Sequence, residues 1–268
     1  MSARLLVRGW QRVRRMPGYH RLLYELVSVL YGNRRAWRLM NYGYAPLPGT
    51  APLVLDSADE PDRYSLQLYH FVASVGTLRG MDVLEVGAGR GGGTAFLHRH
   101  FQPQSTTGLD FSRRAVASCR RTYALPGLSF CVGNALALAF DAGRFDVVIN
   151  IESSHCYPNR GQFFQEAYRV LRPGGLLLYS DVLQDHEYVP VPALVRAAGF
   201  AIRDACLMNA EVMRALELDN ARRQALVNRE VARPFRTIAR QLTVTTDSYS
   251  YQKLQTGRSR YFRIVAAK

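Results

Sequence analysis

The stretch that decides the fold is Val83-Leu84-Glu85-Val86-Gly87-Ala88-Gly89-Arg90-Gly91-Gly92-Gly93. Its apolar start is typical of a buried strand, and the glycines that follow predict a tight turn into a helix. Glycine permits a positive φ and lets the backbone approach a ligand without an intervening Cβ. Gly87, Gly89 and Gly92 also satisfy the dinucleotide fingerprint, which alone is a weak signal. The residues around the turn must therefore identify the ligand.

Two carboxylates indicate which ligand the turn receives. Glu85 stands two residues before Gly87, where it would repel the pyrophosphate that a dinucleotide brings to a helix N-terminus. S-adenosylmethionine has no phosphate, and a carboxylate favours its ammonium and sulfonium. Asp110 closes the second strand 25 residues after Glu85, where it can accept hydrogen bonds from both ribose hydroxyls. We therefore predict S-adenosylmethionine as the cofactor.

The adenine is expected after the third strand, at Asn134 and Ala135. The Asn134 amide or a nearby backbone group would meet the adenine edge, and a plain polar loop is the alternative interpretation. The predicted cofactor-binding residues lie at or just after the carboxyl ends of the first four predicted strands, and they are Glu85, Gly87, Ala88, Gly89, Asp110, Phe111, Asn134, Ala135 and Asn150.

Apolar runs and helical stretches alternate from Gly80 onward. Strands are predicted at Val83–Val86, Thr106–Leu109, Leu128–Val132, Val147–Ile151, Leu176–Tyr179, Phe200–Ala205 and Arg260–Ala266. Helices are predicted at Asp62–Val75, Thr94–Phe101, Arg113–Tyr123, Gln162–Leu171 and Val189–Ala198. This alternation indicates an α/β fold with a doubly wound, mostly parallel seven-stranded sheet and helices on both faces.

Four segments in order resemble the class I S-adenosylmethionine-dependent methyltransferases: Leu84-Glu85-Val86-Gly87-Ala88-Gly89-x-Gly91, Gly108-Leu109-Asp110, Phe145-Asp146-Val147-Val148 and Leu171-Arg172-Pro173-Gly174-Gly175. Five more resemble the mycobacterial phthiotriolone dimycocerosate methyltransferases and related bacterial polyketide or lipid O-methyltransferases: Asp59-Glu60-Pro61-Asp62-Arg63, Gln67-Leu68-Tyr69-His70, Gly91-Gly92-Gly93, Glu152-Ser153-Ser154-His155-Cys156-Tyr157-Pro158 and Leu254-Gln255-Thr256-Gly257. The resemblance implies methyl transfer to an alcohol or phenol of a bulky apolar natural product.

The catalytic candidates follow the fourth strand, where open α/β sheets place their ligands. A hydroxyl nucleophile must lose its proton, and His155, with an ordinary pKa near 6.5, suits a general base. A histidine merely hydrogen-bonded beneath a loop is the alternative. Glu152 would orient His155 or hold the methionyl ammonium. His70 is a second candidate base, although its Tyr-His-Phe setting is more typical of packing, and no ligand spacing predicts a metal.

A basic cap and a lid flank the predicted catalytic domain. Residues 1–60 are expected to form an N-terminal helical cap and linker, and residues 61–268 the methyltransferase domain, with a C-terminal lid insertion at about 209–257 over the acceptor. Amphipathic helices are predicted in residues 1–40, broken at Pro17-Gly18 and Gly32-Asn33. A surface pair of helices is the alternative to the lid.

Charge concentrates in the two flanks, since residues 1–40 and residues 219–268 each carry a net charge of +8. Such flanks attract an anionic membrane, a nucleic acid or an acidic carrier protein, or they form a solvated surface. The four cysteines lack a C-x-x-C pair, which favours a reduced cytoplasm. We expect a cytoplasmic protein with peripheral membrane contact through the basic N-terminus and no nucleic-acid partner; a transit peptide is the alternative.

The sequence therefore predicts an O-methyltransferase acting on a hydroxyl of an apolar, polyketide-like or lipid-like secondary metabolite. N- or C-methylation of a small molecule uses much of the same signature and stays open. A protein that binds S-adenosylmethionine as a cyclase or as a non-catalytic partner is the alternative from another class. The oligomeric state is left open.

Overall fold

The computed structural model describes residues 35–50 and 53–268 and forms a seven-stranded sheet with the strand order β3-β2-β1-β4-β5-β7-β6. The strands are β1 Asp82–Val86, β2 Ser105–Asp110, β3 Leu128–Val132, β4 Phe145–Ile151, β5 Leu171–Gln184, β6 Ala201–Leu207 and β7 Ser259–Ala267. The first five run parallel, and β7 pairs antiparallel with both β5 and β6. This architecture confirms the predicted mostly parallel seven-stranded sheet.

Helices cover both faces of the sheet. They are α1 Arg63–Ala73, α2 Gly92–Phe101, α3 Arg113–Thr122, α4 Arg160–Val170, α5 Asp185–Tyr188, α6 Val191–Ala197, α7 Asn209–Glu230, α8 Arg236–Leu242 and α9 Tyr249–Gln255. One core packs α1, α2, α7 and α9 on the sheet, and a second packs α4 and α6 on the opposite face. The continuous apolar strands are explained by this double burial.

The fifth strand begins earlier than the sequence predicts. Leu171 already pairs with Phe145, and regular pairing resumes at Leu176, opposite Val147. The Pro and Gly residues between them therefore form an irregularity in the ladder, with Gly174 at φ +78°. The strand then continues to Gln184, because β7 pairs with it over nine residues as far as Ser259.

Three helices, α7, α8 and α9, occupy the region of the predicted lid. Arg223 on α7 is buried and fixes this region to the chain before the sheet. Its guanidinium contacts the Asp219 carboxylate at 2.9 Å and donates to the carbonyls of Asn41, Tyr42 and Thr243 at 3.1, 3.0 and 2.5 Å. The start of the predicted loop at Tyr42 is thereby held against α7. The function of this region as a lid stays a prediction.

Most of the predicted N-terminal helices lie outside the described residues. The described part of this segment contains a 3-10 turn at Arg35–Trp37, followed by residues without regular structure up to a second 3-10 turn at Glu60–Asp62. The division into a cap over 1–60 and a catalytic domain stays a prediction. In the described part of the chain, no helix combines the length and the apolarity that a membrane crossing requires.

Candidate active site

The glycine-rich turn joins β1 to α2 at the carboxyl edge of the sheet. Gly87 adopts φ +85°, and a Cβ there would lie 2.0 Å from the Ser153 hydroxyl oxygen, so only glycine fits. Gly89 adopts φ +54°, and a Cβ there would meet nothing within 4 Å. Both Gly87 and Ala88 donate their N–H groups to the Leu109 carbonyl, at 2.8 and 3.0 Å. The turn is thus braced on β2 and open at Gly89.

Glu85 lies beneath this turn rather than on its surface. Its side chain is fully buried and accepts hydrogen bonds from the Tyr69 hydroxyl at 2.8 Å and the Thr94 hydroxyl at 2.5 Å. Burial raises the pKa of Glu85 to about 7, although these two donors favour its charged form. The predicted contact with the ammonium remains a prediction, and the structure adds a bracing contact to α1 and α2.

Asp110 ends β2 beside the turn. One of its carboxylate oxygens accepts from the Gly89 N–H at 2.8 Å, and the other accepts from the Ser112 N–H at 2.9 Å. Two backbone donors therefore fix the carboxylate at the open part of the turn. A carboxylate oxygen can accept from more than one donor, which is the property that binding of two ribose hydroxyls requires.

The residues predicted at the adenine form the wall next to Asp110. Phe111 is 51% exposed at the strand end. Asn134 is exposed and turns its side-chain oxygen toward its own chain, accepting from the Leu136 N–H at 3.0 Å, while Ala135 is buried. An exposed aromatic ring such as that of Phe111 offers a flat apolar face of the kind that an adenine ring packs against.

Asn150, on β4, connects the turn to the segment that follows this strand. Its amide nitrogen lies 2.8 Å from the Val86 carbonyl, 3.2 Å from the Ser153 hydroxyl and 3.1 Å from the Tyr157 hydroxyl. Ser153 and Tyr157 also hydrogen-bond to each other. The Asn150 side-chain oxygen is buried and lacks a hydrogen-bond partner among the described residues. Such an orphaned acceptor next to the first glycine suits a ligand ammonium.

Glu152 is the first residue after β4 and has an unusual backbone. Its φ of 47° lies in the left-handed region, which a residue with a side chain rarely adopts outside functional sites. Its carboxylate accepts from the Tyr42 N–H at 2.7 Å and from the Tyr261 hydroxyl. Burial raises the pKa of Glu152 to about 7. At neutral pH the Glu152 carboxyl group is therefore present in both its protonated and its ionised form.

His155 lies in a 3-10 turn at Ser154–Cys156 and forms a dyad with Asp181 of β5. The imidazole Nδ1 lies 2.8 Å from one Asp181 oxygen, and the other oxygen accepts from the His155 N–H at 2.9 Å and from the Ser154 hydroxyl at 2.6 Å. Asp181 is fully buried, whereas the imidazole is 21% exposed. Asp181 thus fixes the orientation of the imidazole, and part of the ring remains accessible to a ligand.

The charges of the dyad are coupled. Burial alone lowers the pKa of His155, but the neighbouring Cys156 sulfur and the Asp181 carboxylate outweigh it and raise this pKa well above its ordinary value. Burial disfavours the Asp181 carboxylate, yet His155 and Ser154 hold the pKa of Asp181 below its ordinary value. The pair therefore favours an ionised aspartate beside an imidazole that readily holds a proton.

His70 lies among aromatic rings instead of facing this dyad. Its ring centroid is 5.2 Å from that of His100 and 5.7 Å from that of Phe101. Burial, followed by the neighbouring His100, lowers the pKa of His70. The packing interpretation of His70 fits this environment. Among residues 35–50 and 53–268 no group of three or more His, Cys, Asp or Glu side chains is arranged to hold a metal ion.

Four residues of this site were missed by the sequence analysis: Asp181, Tyr42, Tyr157 and Tyr261. Asp181 carried a signal, because it follows the apolar run ending at Tyr179 just as Asp110 follows the second run. Tyr42 and Tyr261 carried none, since they reach Glu152 across 110 and 109 positions of chain. Contacts of that range depend on the assembled sheet.

Comparison with known proteins agrees with this geometry. A family profile described as a methyltransferase domain matches residues 84–179. The chain is 38% identical over 229 residues to phthiotriol/phenolphthiotriol dimycocerosates methyltransferase 1 of Mycobacterium ulcerans, covering 79% of this chain and 83% of that protein. It is 39% identical over 190 residues to a fatty-acid O-methyltransferase of Mycolicibacterium smegmatis, covering 71% and 69%.

Among solved structures, the [4+2]-cyclase SpnF superposes with a TM-score of 0.71 at 20% identity, covering 94% of this chain and 96% of that one. At this identity the likeness shows a shared fold. The sequence relatives and the matched domain establish more than the fold. The chain therefore belongs to the S-adenosylmethionine-dependent methyltransferases and is an enzyme that uses S-adenosylmethionine as its methyl donor.

Proposed function

We propose that this enzyme methylates a hydroxyl group of an apolar, lipid-like or polyketide-like acceptor, with His155 as the general base. The observation that carries the proposal is the dyad of His155 and Asp181, whose Nδ1 to carboxylate distance is 2.8 Å. A base held in one orientation by a buried carboxylate is the arrangement that deprotonation of a hydroxyl requires.

The geometry of the dyad supports proton transfer from the acceptor hydroxyl to the imidazole of His155. Nδ1 of His155 is engaged by Asp181, so we assign acceptance of the hydroxyl proton to Nε2. The adjacent Asp181 carboxylate stabilises the imidazolium that forms. Because the pKa of His155 is raised, the base-competent neutral imidazole becomes more abundant as pH rises above neutrality.

S-adenosylmethionine supplies an electrophilic methyl group on a sulfonium. The residues at the glycine-rich turn fit this cofactor, since Asp110 places a carboxylate at the turn, where ribose hydroxyls can donate to it, and Asn150 offers an orphaned buried oxygen for the ammonium. We assign Phe111, Asn134 and Ala135 to the adenine and Gly87, Ala88 and Gly89 to close backbone approach. Glu152, on the other side, would balance the positive charge of the methionine moiety.

The names of the two relatives indicate acceptors of different chemistry, and this difference bears on whether the acceptor of this enzyme is a hydroxyl or a carboxylate. A phthiotriol carries hydroxyl groups, whereas a fatty acid is already ionised at neutral pH and needs no base. An Asp-supported histidine can act as a base toward the first acceptor, whereas toward the second its protonated form can only bind the carboxylate. The dyad therefore favours the hydroxyl.

The test compares a long-chain alcohol with the fatty acid of equal chain length. We expect S-adenosylhomocysteine and a methyl ether from the alcohol, detected by mass spectrometry, with a rate that rises from neutral to alkaline pH. His155→Ala should slow ether formation by about 10²–10⁴-fold, while His186→Ala, which removes an exposed imidazole elsewhere, should not. Methyl ester from the fatty acid with no product from any hydroxylated acceptor would overturn the proposal.

A further inference from the structure

The tip of the lid is an exposed turn between α7 and α8. We call residues 231–236 the lid tip; it contains a 3-10 turn at Arg233–Phe235. Ala232, Arg233, Pro234 and Phe235 are all exposed, and Phe235 is 63% exposed. A large apolar ring thus stands next to Pro234 at the leading edge of this turn. A single exposed ring is ordinary on a protein surface, so its meaning depends on the charges around it.

The lid tip is surrounded by arginines. Residues 229–240 contain four of them and one acidic residue, Glu230, which pairs with Arg229 at 2.8 Å. Arg236 instead donates to neutral acceptors, the carbonyls of Val231 and Asn228 at 2.9 and 2.5 Å. Arg240 likewise donates to the Asn228 side-chain oxygen at 3.3 Å. Most of the positive charge is therefore not compensated by these contacts.

The Arg-rich N-terminal stretch enters the described structure beside the same tip. Trp37 is 4% exposed and packs in a small cluster with Leu226, Val227, Val231 and Ala239. The described chain from Arg35 onward therefore lies against the two helices that flank the lid tip.

We propose that the lid tip docks on an anionic lipid bilayer, with Phe235 and Pro234 entering the headgroup boundary and the surrounding arginines contacting lipid phosphates. Basic residues around apolar anchors are the composition that interfacial binding requires. A nucleic acid duplex would also attract the arginines, but its bases are stacked inside the helix and its outer surface offers no apolar layer for an exposed Phe and Pro. The proposal goes beyond methyl transfer, because it concerns where the enzyme works and not what it methylates.

Flotation of the full chain with vesicles, in the absence of any acceptor, tests the proposal. We expect binding to vesicles of phosphatidylcholine mixed with phosphatidylglycerol, and weak binding to phosphatidylcholine alone. Each arginine near an anionic surface contributes about fivefold to partitioning, so Phe235→Ser with Arg233→Gln should reduce it by more than that factor. The matched control is Val189→Ser with Arg196→Gln, which alters an exposed apolar residue and an exposed arginine elsewhere.

Three outcomes would overturn the proposal. Equal vesicle binding by the tip variant and the control variant would assign the binding to another part of the chain. Failure of the unaltered chain to bind anionic vesicles would exclude membrane docking. Loss of binding to a duplex oligonucleotide in the tip variant, with vesicle binding intact, would make the tip a nucleic-acid surface. Thermal unfolding followed by circular dichroism should be the same in both variants, since the altered side chains are exposed.

Discussion

The two halves of the active site are built at different ranges of the chain. In the cofactor half, Asp110 accepts from Gly89, 21 positions away. In the acceptor half, Glu152 is held by Tyr42 and Tyr261 across 110 and 109 positions, and Asp181 reaches His155 across 26. The turn of the cofactor half thus depends on two consecutive strands, β1 and β2, whereas Glu152 depends on residues from both ends of the described chain. Acceptor chemistry can therefore change without disturbing the cofactor turn.

The clearest way to separate the halves is His155→Ala. A positioned base contributes about 10²–10⁴-fold, so turnover with a hydroxylated acceptor should fall by about that factor, while calorimetry should give nearly unchanged affinity for S-adenosylmethionine. With a phenolic acceptor the variant should regain activity at high pH, where a phenol, with a pKa of about 10, ionises without help. Near-normal turnover at neutral pH would show that the acceptor half does not supply the base.

Asp181→Asn tests whether the acceptor half acts as a coupled pair. Loss of a charge-assisted hydrogen bond costs about 1.5–3 kcal/mol, which is a fall of about 10–150-fold in the rate plateau. The carboxylate raises the pKa of His155, so its removal should move the alkaline rise of kcat/KM to lower pH. A lower plateau with an unmoved pH profile would indicate that Asp181 only supports the fold; Asp185→Asn, on the partly exposed helix α5, is the control.

Asp110→Ala addresses the cofactor half. Removing a charge-assisted contact to the ribose should weaken S-adenosylmethionine binding by about 1.5–3 kcal/mol, measured by calorimetry. Asp110→Asn keeps one acceptor oxygen for the Gly89 N–H and should lose less. Unchanged affinity in both variants would remove Asp110 from the proposed cofactor site, and Asp141→Ala, at an exposed position, controls for surface charge.

Tyr261→Phe concerns the junction between the halves and should have the smallest effect. The Tyr261 hydroxyl stabilises the charged form of Glu152, whose pKa is about 7. Without this donor that pKa rises, so at neutral pH fewer molecules carry the negative charge that favours a cationic cofactor. We expect about 2–10-fold weaker binding near pH 7 that recovers as pH rises. A loss of equal size at all pH values would contradict this explanation.

The fold and the cofactor half could be predicted from the sequence because both depend on local patterns of apolar residues and glycines. The run from Val83 to Gly93 contains its strand, its turn and its helix start, so seven strands could be placed with errors mainly at their ends. The β5 boundary was misplaced, since its extension to Gln184 is stabilised by pairing with β7, which no local pattern encodes.

The acceptor half could be predicted only in part. His155 and Glu152 follow a strand end, a position that can be read from one segment. Asp181 also follows an apolar run, but the sequence analysis did not select it as a site residue. Its role as the partner of His155 became evident only when the structure placed β4 and β5 side by side. Tyr42 lies in a Pro- and Gly-rich loop whose path is determined by Arg223, 181 positions away.

The antiparallel insertion of β7 between β5 and β6 has a consequence for how the protein is made. β6 pairs with β7 and lies at the sheet edge, yet it leaves the ribosome before β7 does. Until Ser259–Ala267 is synthesised, both β5 and β6 expose unpaired backbone edges, which are templates for aggregation. The parallel strands β1 to β4 need no such late partner and can assemble first. Truncation within β7 should therefore give an aggregating nascent chain rather than a weakened enzyme.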